Sequence, residues 1–177
     1  MRVQCVRETI KQAPRQAMNT DVALLRRILT QHRTIAVVGL SADWNRPSYF
    51  AAKYMQSHGY RIVPVNPRYA GDASGILGET CYGTLSDIPF AIDMVDVFRR
   101  TADVMPIAEE ALAIGARSLW QQLGVTNADA AALFQRHQRD AVQDRCVKIE
   151  HARLFGGLNW VGVNTGIISA KRAQGTH

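Results

Sequence analysis

Three short stretches of the chain carry residue types that could do chemistry. In the first, Gly39 closes the apolar run Thr34-Ile-Ala-Val-Val38, and Leu40, Ser41, Arg46 and Pro47 follow it. Glycine lets the backbone approach a ligand closely, proline suits the first turn of a helix, and the free N–H groups of a helix start favour an anion. The dinucleotide fingerprint G-x-G-x-x-G is absent, and one glycine is also what an ordinary strand-to-helix turn would show. In the second stretch, Asn66, Pro67 and Arg68 end the run that reaches Val65. Folds that bind NAD place an acidic residue there for the ribose hydroxyls, whereas an arginine pairs bidentately with phosphate. The ligand expected is therefore a nucleotide with an extra phosphate near its ribose, a description that NADP and coenzyme A both meet. The bland alternative for Arg68 is a solvated residue beside a rigid turn. The third stretch, Val97-Phe98-Arg99-Arg100, ends an apolar segment on two cations, either of which could hold phosphate or simply be solvated.

Two further residues qualify as candidates. Cys146 follows Asp144 and Arg145, and a neighbouring arginine favours thiolate, so a mixed disulfide with a ligand thiol is conceivable; a buried small apolar side chain is the alternative. Of the adjacent amides Gln121 and Gln122, at most one faces a crevice, because strand side chains alternate. His137 reads as a residue on a helix surface.

The chain has 177 residues and a net charge of +6, enough for one domain with a sizeable core. Its cations are spread along the sequence without a basic run or a nucleic-acid motif, which argues for a small polyanionic ligand or a solvated surface rather than nucleic acid. Cys5, Cys81 and Cys146 have no metal-site or disulfide spacing. The amino-terminal stretch lacks the apolar core of a secretory signal, and no segment has the length to span a bilayer. A reducing cytoplasm is the expected setting.

The elements that must position these residues alternate. Residues 1–33 read as a polar arm followed by an amphipathic helix with Val22, Leu24, Leu25, Ile28 and Leu29 at helical spacing. Residues 34–154 form the core domain, and 155–177 a glycine-rich extension that wraps an edge or meets a partner. Within the core, strands are expected near 34–38, 60–66, 92–98, 117–124 and 144–150, with a short one near 80–82. Helices are expected at 48–58, 101–115 and 127–140, with one turn at 84–89. Trp120 and Leu123 are expected in the core. Alternating strands and helices predict a doubly wound α/β domain with a mostly parallel sheet of about five to six strands. If the chain returns past its first strand before Ile92, a crevice opens between Gly39 and Phe98.

Taken in order, these blocks resemble a known family. Gly39-Leu-Ser41 with Arg46-Pro47-Ser48, Val65-Asn-Pro67-Arg68, Asp93-Met-Val-Asp-Val-Phe-Arg99, Leu119-Trp-Gln-Gln-Leu-Gly124, and Asp144-Arg-Cys146 with Lys148 and Glu150 resemble the bacterial CoA-binding domain proteins, often called YccU-like. Those are similar in turn to the CoA-binding domain of the succinyl-CoA synthetase α subunit. The likeness covers roughly 34–154, and Trp160-Val-Gly-Val-Asn164 is similar to the end of some members. Val147 stands where other members often have proline. The resemblance implies a Rossmann-like domain that holds coenzyme A or an acyl-CoA at the strand ends. It implies that Gly39, Leu40, Ser41, Arg46 and Pro47 meet the diphosphate, that Asn66, Pro67 and Arg68 hold the adenosine-phosphate end, and that Val97, Phe98 and Arg99 line the crevice, with Gln122 and Cys146 as further candidates. It implies binding without ligase chemistry. The alternatives are an NADP-dependent reductase and a CoA-linked thiol module using Cys146. A homo-oligomer or a protein partner is left open, and neither nucleic acid nor membrane is expected.

Overall fold

The computed structural model describes residues 21–156. The amino-terminal arm and Trp160–Asn164 lie outside them. Helix α1 (Val22–Gln31) is capped by Asp21, whose carboxylate accepts the Ala23 N–H at 2.9 Å, and it buries Leu25, Ile28 and Leu29. Strands β1 (Thr34–Val38), β2 (Arg61–Val65), β3 (Met94–Val97), β4 (Ser118–Gln121) and β5 (Asp140–Val142) form one parallel sheet in the order β2-β1-β3-β4-β5. Helices α2 (Pro47–Ser57), α3 (Val104–Ala113), α4 (Ala128–Arg136) and α5 (Val147–Phe155) complete the two outer layers. A single 3-10 turn at Thr101–Asp103 leads into α3.

Alternation along the strands divides the core in two. Ile35, Val37, Met94 and Trp120 join the face covered by α1, α2 and α5, while Ala36, Val38, Val95, Val97 and Leu119 join the face covered by α3 and α4. Large side chains buried this completely contribute roughly 1.5–3 kcal/mol each relative to exposure. The chain runs outward from β1 to β2, then returns past β1 to β3, so the strand order reverses at the β1/β3 boundary. Val38 pairs with Val65 on one side and Val97 on the other, which brings three strand ends to one level. This is the place where open α/β sheets bind ligands.

Four local expectations need correction. The segment 144–150 is not a strand: β5 is the earlier Asp140–Val142, and the chain turns at Asp144 (φ 52°) into α5. Helix α4 ends at Arg136, because Gln138 takes φ 57° and redirects the backbone into β5. Residues 84–89 make turns rather than helix, with the Thr84 N–H donating to Asp87 Oδ2 at 2.8 Å. Leu123 lies beyond the end of β4 and is exposed, unlike Trp120, whose indole N–H donates to the Arg145 carbonyl at 2.7 Å. The short strand near 80–82 reduces to one parallel bridge, Val65 to Tyr82, along the β2 edge. Val147 occupies the first position of α5, where a proline also fits.

Candidate functional site

Close approach of β1 and β3 explains the glycine. Gly39 has φ +88°, and a Cβ there would lie 2.5 Å from the Phe98 carbonyl oxygen. Its N–H donates to Val65 O at 2.8 Å, while the Phe98 N–H donates to Val38 O at 2.9 Å, so the strand ends are tied across the crevice. The loop beyond is built from its own side chains. Ser41 N–H donates to Ser48 Oγ at 3.2 Å, Asp43 N–H to Ser41 Oγ at 3.1 Å, and Asn45 N–H to Asp43 Oδ1 at 2.9 Å. Helix α2 then starts with Pro47 at its first position, and its N-cap residue, Arg46, makes no side-chain cap bond. The positive end of this helix is thus open to an external acceptor.

Asn66 joins the second strand end to the first. Its Nδ2 donates to Leu40 O at 2.9 Å, and its Oδ1 accepts the Arg68 N–H at 3.1 Å and Arg99 Nη2 at 3.5 Å. The result is a pocket of about 440 Å³ that gathers Gly39, Ser41, Arg46, Pro47 and Ser48 from the first loop, Asn66, Arg68 and Tyr69 from the second, and Phe98 and Arg99 from the third. No acidic side chain is among these. Arg46 has a loose partner in Asp43 at 3.7 Å, Arg68 rests against the Tyr69 ring, and Arg99 donates to the neutral Asn66 amide. Several phosphate oxygens fit such a set of donors.

Not every expected residue is brought here. Leu40 and Val97 turn their side chains into the two cores, so only their backbone borders the crevice. Pro67 is exposed outside the pocket lining. Arg100 pairs with Asp103 at 3.1 Å and stands apart. Gln121 bonds both ways with the Asn127 backbone at the start of α4, while Gln122 turns to the opposite face, where its Nε2 donates to Asp96 Oδ1 at 2.8 Å and Oδ2 at 3.0 Å. Cys146 is the N-cap of α5 rather than a strand residue. Burial pushes its thiol up, and the nearby Asp96 charge adds to this, against the helix-start N–H groups of Ile149 and Lys148. Arg145, expected to favour the thiolate, instead pairs with Glu150 at 3.3 Å.

Asp96 is the residue that sequence reasoning passed over. It is fully buried in β3, and burial pushes its carboxyl up to about 7 against the hydrogen bonds from Gln122 and the Val97 N–H. An acid inside Met-Val-Asp-Val was the visible signal. Ser48 and Tyr69, which complete the pocket, follow from their places beside Pro47 and Arg68. A second pocket of about 270 Å³ lies at the other end of the sheet among Arg27, His32, Arg117, Arg139 and Asp140. There Arg27 pairs with Asp140 at 2.9 Å and Arg117 with Asp93 at 3.4 Å, so its cations are largely neutralised.

Comparison with known proteins decides the family. The model of the CoA-binding domain matches residues 33–152. The chain belongs to the CoA-binding domain family. Similar proteins include the uncharacterized protein YneT of Bacillus subtilis (strain 168), 37% identical over 134 residues that make up 76% of this chain and 96% of YneT. Among solved structures, the cell-free ID.343 protein of Thermus thermophilus is 35% identical with a TM-score of 0.72, covering 76% of this chain and 99% of its own. A hypothetical protein from Pyrococcus horikoshii OT3 is 33% identical, also with a TM-score of 0.72, over 84% of this chain and all 100% of that one. The dinucleotide-forming acetyl-coenzyme A synthetase 1 of Ca. Korarchaeum cryptofilum is 18% identical with a TM-score of 0.53, over 63% of this chain and 26% of the synthetase, a likeness of fold. The CoA-binding domain family supports a CoA-related role for this chain, and the five-stranded Rossmann-like sheet accords with it. Among the described residues no helix is long and apolar enough to cross a membrane.

Proposed function

We propose that this CoA-binding domain binds coenzyme A or an acyl-CoA at the carboxyl ends of β1, β2 and β3. The observation that carries the reading is the pocket in which Arg46, Arg68, Arg99 and the start of α2 converge without a carboxylate. The diphosphate sits over Gly39, Ser41 and the α2 start, where backbone and dipole both favour an anion. The ribose phosphate meets Arg68. The pocket lining holds the hydroxyls of Ser41, Ser48 and Tyr69 beside its arginines. Arg68 at the end of β2 would suit the ribose phosphate of NADP as well, and this is the one feature that favours the reductase reading.

Isothermal titration with CoA, 3′-dephospho-CoA and NADP tests the proposal. CoA is expected to bind most tightly, with dephospho-CoA about tenfold weaker through loss of a charge-assisted hydrogen bond. Equal affinity for CoA and dephospho-CoA would remove the role of Arg68. Preference for NADP would favour the reductase reading.

A further inference from the structure

The Asp96–Gln122 pair lies one strand beyond the pocket, on the face shared by α2 and α5. Gln122 follows the end of β4, and its N–H reaches Val97 O at 3.4 Å, which sets it beside the residue before Phe98. Both Asp96 oxygens hold the same Gln122 nitrogen, at 2.8 and 3.0 Å, and both side chains are buried. Above about pH 7, where Asp96 is ionised, its carboxylate only accepts, so it pins the amide with Nε2 inward and Oε1 outward. Oε1 has no hydrogen-bond partner among the described residues, although Gln122 is only 3% exposed. Among the described residues no side-chain nitrogen or oxygen is both sealed from solvent and unpartnered, so Oε1 keeps an opening. A buried acid near the strand ends, with no cation bonded to it, has no role in stabilising the sheet that an apolar residue would not fill better.

We propose that Asp96 is a positioning residue that fixes the Gln122 amide, so that Gln122 Oε1 accepts a hydrogen bond from an N–H or S–H donor on the pantetheine arm of coenzyme A. The inference rests on the CoA reading of the pocket and extends it. The nucleotide end of the ligand occupies the arginine-lined pocket, and the arm continues from Phe98 along the β3 and β4 ends toward the start of α5, where Cys146 stands. Gln122 is then the place where the protein recognises the arm rather than the nucleotide.

The experiment compares CoA with 3′,5′-ADP, which keeps the nucleotide phosphates and lacks the arm. Gln122→Met removes the acceptor at nearly constant size. It is expected to weaken CoA about tenfold, the effect of one lost hydrogen bond, and to leave 3′,5′-ADP unchanged. Asp96→Ala frees the amide and gives the same selective loss. Asp96→Asn, which still offers an acceptor to Nε2, restores most of the CoA affinity, a rescue that a purely structural effect on the fold would not follow ligand by ligand. In the wild-type protein, the Gln122 side-chain amide signals in nitrogen-edited NMR should move with CoA and stay fixed with 3′,5′-ADP, a measurement that needs no variant to fold. Equal losses for both ligands in Gln122→Met, or amide signals unmoved by CoA, would overturn the inference while leaving the pocket's role intact. Failure of the wild-type protein to bind either ligand would overturn the CoA reading itself, and this inference with it.

Discussion

Replacing Asp96 with asparagine should stabilise the domain, and should do so more as the pH rises. The folded-state carboxyl lies at about 7, raised chiefly by burial, against about 3.9 for an unfolded aspartate. The folded chain therefore holds a proton that the unfolded chain gives up. Its contribution to stability is complete below about pH 4 and declines as pH rises toward 7, by about 1.4 kcal/mol per unit. Three units amount to about 4 kcal/mol lost by pH 8. Asparagine has the same shape, still accepts from Gln122 Nε2, and carries no charge, so Asp96→Asn escapes this loss. At pH 8 the variant should be more stable by about 4 kcal/mol, and at pH 5 by about 1.5 kcal/mol. For a domain of this size the first figure corresponds to a melting temperature roughly 8–16 °C higher. Urea unfolding of both proteins at half-unit steps from pH 5 to 8 reads the difference directly, because every other titrating group is common to the two. Parallel profiles across that range would refute the claim that an uncompensated charge is forced into β3.

Four other changes follow from the same geometry. Gly39→Ala should cost roughly 2–3 kcal/mol by chemical unfolding, because the position needs a positive φ and the new Cβ would meet the Phe98 carbonyl at 2.5 Å; a neutral result would mean that the two strand ends are not held together. On α5, Glu150 is buried between Arg145 and Arg153, so Glu150→Ala should destabilise by about 3 kcal/mol, the low end for a broken buried pair because both arginines keep some solvent, and an unchanged denaturation midpoint would show that the network contributes nothing. Arg68→Gln should bring CoA and dephospho-CoA to within about twofold of each other, whereas a preserved tenfold gap would place the ribose phosphate elsewhere. Cys146 should alkylate more slowly than a free thiol at pH 8, since burial and the Asp96 charge both disfavour its thiolate, and Asp96→Asn should speed it; peptide mapping after iodoacetamide separates this site from Cys5 and Cys81.

Residues whose identity the backbone dictates made much of the fold legible. Gly39 marks a positive φ under a close carbonyl, Pro47 marks a helix start, and Asn66 holds two loops through one amide. Gly39 and Asn66 were legible because each stands directly after an apolar run, although the contacts that explain them are long-range. The carboxyl-terminal third was harder to read, because Val147-Lys-Ile149 alternates like a strand. The face that α5 buries includes Glu150 and His151 as well as Val147 and Leu154. Those two polar residues are tolerated inside only because Arg145 and Arg153 reach Glu150 and the Tyr54 hydroxyl meets His151 Nδ1 at 3.2 Å. These partners are up to 97 residues distant in sequence, so a hydrophobic pattern alone could not find the helix.

The candidate site divides along the same line. Its cations stand directly after apolar runs, and a strand end followed by arginine announces itself in sequence. Asp96 and Gln122 do not, since their contact spans 26 residues and depends on the β3/β4 register that pairs Val97 with Gln121. That register also explains why Gln121 and Gln122 differ. Gln121 falls on the face toward α4, where its amide holds the Asn127 backbone, and Gln122 falls on the face toward α5, where its nitrogen is held by Asp96. A one-residue slip of β4 would exchange the faces of the two amides and break the Gln122–Asp96 contact. The pair thus ties the register of the sheet to the orientation of a single amide, and the stability of Asp96→Asn and the ligand selectivity of Gln122→Met probe the two ends of that connection independently.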